Sequence, residues 1–366
     1  MSDTDPDPLP IGQVPVGEVL GRELAARDWT QADLAGVLDR PTQFVSEIVT
    51  GKKEITRESA AQIAAALGHT AEYWLKLQDQ YLLAEQSRDR TTQERLSDVR
   101  RRARLNDRGP IQLLRKRSIL RAESLDELES EVLDLFEISS MDEEPLFAAA
   151  AKRSNRGEEV SSFQLAWVAS IRRAAREALP SRPFVREDLE DVAARLARKV
   201  TTPTDFLRLP EMLTEAGVRL VYVESFPGSK IDGCALFVGT TPVIGLSGRG
   251  KRLDKVLFAL LHEAAHIVRG HVDADTVLVE DLEDRHAQES QREREADDTA
   301  QNWVFPEGLP PLPSRVSATW IESAAAELSV APIVLVGQLQ HRNWLDWRTT
   351  LAKSAPTVND ALKRWR

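Results

Sequence analysis

Five short stretches between residues 16 and 86 carry hydrophobic residues at helical spacing. Four of them open at a turn or capping residue: Thr30, Pro41, Thr56 and Thr70. The pattern predicts a compact all-helical domain built from five helices. Its core is expected to contain Leu20, Leu24, Leu34, Leu38, Val45, Ile48, Ile63 and Leu67.

Three further stretches, at residues 125–136, 163–179 and 189–199, have the same periodicity and predict a helical middle region. The rhythm changes at Gly217, where the runs GVRLVYVE, CALFVG and PVIGLS are short, β-rich and separated by Pro, Gly and Asp. These runs predict three strands of a small antiparallel sheet.

Two helices are predicted after the strands, near residues 252–270 and 290–304, with an acidic loop between them. The proline-rich residues 306–313 interrupt helix, and helical periodicity returns from about residue 314. The expected fold class is therefore mainly α, an α+β chain with one short sheet and a helical tail.

The composition is that of a globular chain, because 42% of its 366 residues are hydrophobic, and this length favours roughly two or three domains. No uninterrupted apolar run is longer than that at residues 256–261, which is too short to span a bilayer, and this argues against a membrane protein. A single cysteine, Cys234, excludes an intramolecular disulfide and a Cys-only zinc finger. Residues 1–15 are rich in Asp and Pro, which predicts a disordered tail without signal-peptide features and a cytoplasmic location.

The net charge of −10 at pH 7 is unevenly distributed. Residues 1–87 carry −7, residues 88–121 carry +8, and the remainder carries −11. An acidic average argues against a nucleic-acid partner, but this average describes no part of the chain. The basic segment, residues 88–121, is either an arm that binds phosphate or a solvated helix that pairs with the acidic half.

The most specific motif is LLHEAAHIVRGH, in which His262 and His266 are four residues apart on a predicted helix and share one face. Both imidazoles can reach one Zn²⁺, and Glu263 can act on a water molecule there as general base. The motif predicts a zinc peptidase site. The alternative is a helix with incidental surface histidines.

A zinc peptidase needs a third protein ligand, and the run QREREADDTAQ on the next predicted helix offers carboxylates. Glu293 is the first choice, with Asp297 one turn on as a partner for a ligand imidazole, and Glu295 is the second choice. The sequence does not fix the phase of this helix. We expect His271 to close the preceding helix or orient a group near the site, and Cys234 to be inert packing.

The motif HEAAH, the run EREAD and the strands GVRLVYVE and PVIGLS together resemble the ImmA/IrrE family of metallopeptidases over residues 188–313. The resemblance implies a small zincin-like domain of the gluzincin type, with zinc bound by His262, His266 and Glu293. Glu263 matches the family's catalytic glutamate. Substrates in this family are often DNA-binding repressors, cleaved to switch on a regulon.

The first domain carries a second resemblance. The segment WTQADLAGVLDRPTQFVSEIVTGKKEIT resembles the helix-turn-helix of XRE-type, lambda-repressor-like regulators, and RESAAQIAAALGHTAEYWLKLQ resembles the HigA antitoxin subgroup. The turn has Asp39 and Arg40 where the family usually has a Gly and an apolar residue. The resemblance implies double-stranded operator DNA as a partner, and a homodimer is expected because duplicated contacts raise affinity for a palindromic site.

The second helix of such a motif lies in the major groove, and flanking residues position it on the phosphates. The alternative is a helical bundle kept only for protein contacts. The expected DNA contacts are Thr42, Gln43 and Ser46 toward the bases and Gln31, Lys52 and Lys53 toward the phosphates.

Together these features predict a cytoplasmic DNA-binding transcriptional regulator with a zinc-dependent endopeptidase domain that cleaves a repressor or the chain itself near residues 100–104. The runner-up is an antitoxin-like regulator whose peptidase-like domain is a sensor or interaction module with little catalysis. A toxin-binding protein is the third hypothesis. The expected parts are a tail at 1–15, a helix-turn-helix domain at 16–87, a basic then helical connector at 88–187, a metallopeptidase domain at 188–313 and a helical tail at 314–366.

Overall fold

The computed structural model describes residues 14–148, 160–273, 277–280 and 291–365. The chain forms two compact units, Met1–Arg102 and Ala103–Arg366. Most of the predicted N-terminal tail and most of the predicted acidic loop lie outside the described residues.

The first unit contains five short helices and most of a sixth. The hydroxyl groups of Thr30, Thr56 and Thr70 accept backbone N–H bonds at the starts of three of these helices, as the sequence predicts. All eight predicted core residues are buried, so the five helices and their core are confirmed. The helices are α1 Val16–Ala25, α2 Gln31–Val37, α3 Thr42–Val49, α4 Arg57–Leu67, α5 Ala71–Arg88 and α6 Arg90–Arg108.

The second unit is also mainly helical. Five of its helices correspond to the five predicted there: Leu125–Phe136, Ser162–Arg176, Arg186–Lys199, Leu253–Val268 and Gln291–Val304. No helix lies between residues 304 and 318, all of which are described. Among the described residues no single helix is long and apolar enough to cross a bilayer. The helices Ala318–Glu327 and Pro332–His341, bent by 105° relative to each other, satisfy that test only as a pair. The helices are α7 Ile111–Lys116, α8 Leu125–Phe136, α9 Ser162–Arg176, α10 Arg186–Lys199, α11 Leu209–Glu215, α12 Leu253–Val268, α13 Gln291–Val304, α14 Ala318–Glu327, α15 Pro332–His341 and α16 Asn359–Leu362, with 3-10 turns at Pro203–Arg208 and Thr350–Ala352.

The sheet has four described strands in the order β1-β3-β2-β4: β1 Arg219–Tyr222, β2 Gly233–Val238, β3 Thr241–Leu246 and β4 Leu278–Glu280. The mainly helical class with a small sheet is confirmed, but the prediction of an antiparallel sheet is wrong for one pair. Strand β2 runs antiparallel to β3 and β4, whereas β1 runs parallel to β3. Because β2 and β3 form a tight hairpin, β1 meets the outer edge of β3, an order that apolar runs alone do not reveal.

Strand β4 was not predicted, because it lies in the segment expected to be an acidic loop. Its signal in the sequence is the short apolar run that begins at Val277. This strand pairs with the first three residues of β2 and so lies beside the start of that strand. It brings part of the segment between α12 and α13 onto the sheet.

The sheet lies between two helical layers. Helix α12 packs on the face that carries Ala235 and Ile244, and α9 packs on the face that carries Cys234 and Leu236. Successive strand residues point to opposite faces, so this division follows directly from the alternation along β2. The thiol of Cys234 is buried toward α9, where a Cβ added to Gly245 would lie 2.7 Å from its Sγ. Cys234 therefore lies on the sheet face away from α12.

Candidate DNA-binding face and metal centre

Helices α2 and α3 are joined by a tight turn. Asp39 adopts a left-handed conformation there, with φ of 51°, and the N–H of Arg40 donates to the carbonyl of Ala35 at 2.9 Å. Among residues other than glycine, Asp is one of the few that tolerate this conformation. The Asp that replaces the usual glycine therefore supplies the left-handed residue that the turn needs.

Helix α3 presents the predicted base contacts on its outer side. Thr42 and Gln43 are exposed and Ser46 is half-buried, whereas Val45 and Ile48 are buried in the core. Of the predicted phosphate contacts, Gln31 is half-buried at the start of α2, and Lys52 and Lys53 are exposed in the loop after α3. The structure thus keeps the polar residues of α3 away from the contacts that hold the domain together.

The loop that carries Lys52 and Lys53 is held by hydrogen bonds to the buried side-chain amide of Gln78. The side-chain carbonyl of Gln78 on α5 accepts the N–H of Ile55, and its amide donates to the carbonyl of Ile55 at 3.1 Å. These two bonds satisfy both groups of a buried glutamine, which would otherwise cost free energy. Sequence reasoning missed Gln78, whose signal is a polar residue at an inward position of a helix.

Glu47 on α3 contacts two of the predicted DNA-binding residues. Its Oε1 accepts from the amide of Gln43 at 2.9 Å, and its Oε2 lies 3.9 Å from Nζ of Lys53. The same ammonium lies 4.7 Å from the ring centroid of Phe44. A carboxylate on this side of α3 opposes phosphate, and sequence reasoning did not include it.

Helix α12 runs through the interior of the second unit, where all of its residues except Lys255 and Phe258 are buried. His262, Glu263 and His266 are at most 1% exposed. Three buried ionisable groups on one helix cost free energy unless they have polar partners or bind an ion. This burial rules out the alternative of incidental surface histidines.

Helix α13 packs against α12 and brings Glu293 to the two histidines. The Nε2 atoms of His262 and His266 are 3.0 Å apart, and Oε2 of Glu293 lies 3.2 Å from the first and 3.6 Å from the second. Tetrahedral zinc with bonds of about 2.1 Å separates its ligand atoms by about 3.4 Å. The donor types and their spacing therefore fit a zinc ion.

The other predicted residues surround these three from outside. Oδ1 of Asp297 lies 2.8 Å from Nδ1 of His262. Nδ1 of His271 lies 3.0 Å from Nδ1 of His266, and its Nε2 lies 3.1 Å from Oε2 of Glu295. The structure therefore brings Glu293 to the histidine pair. Glu295 instead contacts His271, which in turn contacts His266.

His271 reaches His266 because of the way α12 ends. Gly270 has a φ of 70°, and the N–H of His271 donates to the carbonyl of His266 at 2.9 Å. A left-handed glycine followed by this bond is a common helix ending, and it turns the next side chain back over the last turn. The position of His271 thus follows from the RGH sequence that ends the motif.

The contacts of His271 are consistent with one protonation state of His271 and one tautomer of His266. Burial lowers the pKa of His271, against the opposing effect of the Glu295 hydrogen bond, and this favours the neutral ring near pH 7. The pKa of Glu295 is lowered, first by the hydrogen bond from Gln291 and then by the one from His271. A neutral His271 that donates from Nε2 to Glu295 accepts at Nδ1 from His266. That tautomer of His266 leaves the lone pair of its Nε2 directed toward His262 and Glu293.

Glu263 lies against the start of β2. A Cβ added to Gly233 would lie 2.4 Å from Oε1 of Glu263 and 2.9 Å from its Cγ. Only glycine leaves room for this carboxylate between the helix and the sheet. Sequence reasoning missed Gly233, whose signal is a glycine that opens an otherwise apolar strand.

Comparison with curated proteins identifies the first unit. The N-terminal part of the chain is 34% identical over 86 residues to an uncharacterized HTH-type transcriptional regulator from Haemophilus influenzae, which covers 23% of this chain and 80% of that relative. The chain belongs to the HTH-type transcriptional regulators. No protein-family model matches the chain, and no solved structure matches it significantly. The candidate metal centre of this HTH-type regulator therefore rests on its own geometry.

In this HTH-type regulator, most of the basic segment forms helix α6. Arg102 lies 3.6 Å from Asp98, and Arg90 lies 2.9 Å from Glu94, each one helical turn apart. Arg100 and Arg104 are exposed on the same helix. The ion pairs within α6 reduce its positive charge without removing it.

Proposed function

We propose that this HTH-type regulator binds operator DNA through α3 and is also a zinc-dependent endopeptidase that cleaves a regulatory protein. One observation supports the peptidase: the donor atoms of His262, His266 and Glu293 are 3.0–3.6 Å apart in the interior of the second unit, and Glu263, the residue after His262, is buried on the same helix. The substrate is a separate repressor or the chain itself.

The residues divide into three roles. His262, His266 and Glu293 hold the metal, while Asp297 and the pair of His271 with Glu295 orient the two imidazoles. Zinc at such a site supplies Lewis-acid activation of a peptide carbonyl and of water. The third role belongs to Glu263.

Glu263 carries the proton in the proposed reaction. Its carboxylate accepts a proton from the water whose oxygen attacks the scissile carbonyl carbon. It then returns that proton to the amide nitrogen as the carbon–nitrogen bond breaks. The position beside Gly233 holds the carboxylate still during both transfers.

The DNA-binding part of the proposal rests on exposed polar residues around α3. Thr42, Gln43 and Ser46 reach base edges in the major groove, and Gln31, Lys52 and Lys53 contact phosphates. The exposed arginines of α6 add a further phosphate-binding surface. We also propose that the protein acts in the cytoplasm as a homodimer, which matches a palindromic operator.

A second candidate is a regulator whose metal centre is a sensor or interaction module with little turnover. The burial of Glu263 favours it, because a base that is 1% exposed is reached by a peptide only after the surrounding segments move. In this candidate, substitution of His262 changes DNA binding or regulation while no proteolysis accompanies it.

The experiment that tests the peptidase compares purified wild type with Glu263→Gln and His262→Ala. We expect one zinc per chain in wild type and Glu263→Gln, and much less in His262→Ala, by elemental analysis. Wild type alone should cleave peptides from a random library, identified by mass spectrometry. A wild-type protein that retains no zinc, or equal cleavage by Glu263→Gln, would refute the proposal.

A further inference from the structure

On α12 and on α13, the helix face that carries the candidate metal-binding residues extends toward the C-terminal end of α15. On α12, Phe258 lies one turn before His262. On α13, Gln301 lies one turn after Asp297. Residues four apart share a helix face, so both belong to the rows that contain the metal-binding residues.

The end of α15 contacts both rows. The ring of His341 lies 5.9 Å from that of Phe258, which in turn lies 6.1 Å from the ring of His262. The next residue, Arg342, donates from Nη2 to Oε1 of Gln301 at 3.0 Å. The residues at the end of α15 therefore lie one to two helical turns from the metal centre.

Arg342 presents its charge to solvent at this place. Its guanidinium carbon lies 5.3 Å from the ring centroid of Trp344, a side chain that is 48% exposed. Gln301 and Trp344 are both neutral, and no ion pair to Arg342 is found within the described part of the chain. The nearest carboxylate in sequence, Asp346, lies four residues further on and accepts the backbone N–H of Arg348 at 2.7 Å.

The following segment is also held to α12. Nζ of Lys255 lies 5.3 Å from the ring centroid of Trp347, which is 52% exposed. Two exposed tryptophans and two cations thus lie where the end of α15 and the segment after it meet α12 and α13. Large exposed aromatic rings beside cations are typical of recognition surfaces rather than of inert solvent-facing loops.

We propose that Arg342 and Trp344 form a substrate subsite that binds an acidic side chain of the cleaved protein. The inference rests on the proposed peptidase function and names its substrate preference. The planar guanidinium suits a carboxylate, and the indole covers the methylene groups of Asp or Glu. Gln301 orients the guanidinium without neutralising it.

The position of the subsite sets the register of the preference. Gln301 is eight residues from Glu293, which is about 12 Å along a helix. An extended peptide advances about 3.3 Å per residue. The acidic side chain is therefore expected about three to four residues from the scissile bond.

The first experiment measures cleavage by the zinc-loaded full chain. The probes are internally quenched alanine-based octapeptides that carry one Glu, or one Gln as its neutral isostere, at each position in turn. Wild type should prefer Glu about tenfold in kcat/KM at one position, and Arg342→Gln should abolish the preference by lowering kcat/KM for the Glu peptide. Arg348→Gln, on the same segment but without these contacts, should behave as wild type. A preference that survives in Arg342→Gln would overturn the inference.

The second experiment needs no turnover. Fluorescein-labelled versions of the same octapeptides are titrated with the Glu263→Gln protein and with the double variant that adds Arg342→Gln, and binding is followed by fluorescence anisotropy. The Glu peptide should bind the first protein several-fold more tightly than the Gln peptide does, and the two peptides should bind the second protein equally. Equal binding of both peptides by the first protein would overturn the subsite. A charge preference in binding, with no cleavage by wild type, would refute the peptidase and leave the subsite in place.

Discussion

The two units of this chain place their functional residues in opposite environments. The predicted DNA contacts around α3 are exposed or half-buried, and those with polar contacts are held by one or two neighbours such as Glu47. The predicted metal-binding histidines are at most 1% exposed and each lies within 3.0 Å of another polar side chain. The first candidate site depends on separate exposed side chains, whereas the second depends on a set of buried side chains that contact one another.

This difference has a physical cause. Exposed cations are solvated, and their interactions with phosphate are screened by salt and add in small steps. Buried imidazoles and carboxylates lose their hydration, so each must be satisfied by a neighbour or an ion. Small changes should therefore have large effects at the candidate metal centre and graded effects at the proposed DNA-binding face.

The largest expected effect separates the two candidate carboxylates on α13. Glu293→Ala removes a proposed ligand and should lower zinc affinity on the order of 1000-fold. Glu295→Ala removes only the partner of His271 and should lower it about tenfold. Zinc affinity is measured by competition with a chelator dye. If the two variants lose affinity equally, Glu293 is not the third ligand.

A second prediction compares a glycine-to-alanine substitution in each unit. Gly233→Ala places a methyl group against Glu263 and should destabilise the second unit by about 1–3 kcal/mol, with a loss of the proposed peptidase activity of at least tenfold. Gly36→Ala, in an open position of α2, should stabilise the first unit by about 0.5–1 kcal/mol. Urea unfolding of the full chain measures both. Equal destabilisation by the two variants would contradict the comparison.

The sequence predicts the helices of both units well, because their amphipathic spacing and capping residues are local signals. Leu34, Val45 and Ile63 were predicted in the core and are fully buried. The strand order was not predictable in the same way. The pairing of β1 with β3 and the existence of β4 depend on contacts between distant residues, which no local pattern records.

The candidate site shows the same limit. Spacing alone places His262 and His266 on one helix face, but the choice between Glu293 and Glu295 needs the rotation of α13 relative to α12. Gly233 and Gln78 matter only through residues 30 and 23 positions away, respectively, and their own neighbours in sequence do not indicate this. Glu47 was missed because a lone glutamate on a helix is typical of any solvated surface.

A third prediction addresses the exposed face. Lys52→Ala and Lys53→Ala should each weaken binding to a random duplex of about 30 base pairs a few-fold and reduce the salt slope by about 1. Lys76→Ala, an exposed lysine on α5, is the matched control and should change neither. Fluorescence anisotropy over a range of salt concentrations measures both quantities. A salt slope that is unchanged in both loop variants would exclude this loop from the DNA interface.

The smallest expected effect asks whether ion pairs or packing stabilise the second unit. Glu137, at the end of α8, accepts two hydrogen bonds from Arg172 at 2.8 and 3.0 Å, and Arg176 lies 2.8 Å from the same carboxylate. Burial raises the pKa of Glu137, but the Arg172 hydrogen bond and the two cations outweigh it, so the pKa lies below its ordinary value of 4.5. Such a carboxylate stabilises the fold above its unfolded pKa, and the contribution is lost as the pH falls through the folded pKa.

Glu137→Gln should therefore lower the free energy of unfolding by at most about 1 kcal/mol near pH 7, because the pair is partly exposed, and by nothing measurable below the folded pKa. Tryptophan fluorescence in urea reports mainly on the second unit, which contains six of the eight tryptophans. A loss at neutral pH larger than that of Gly233→Ala would show that the second unit depends on its ion pairs. The metal centre would then be held by charges as exposed to salt as those of the DNA-binding face, and the contrast between the two units would disappear.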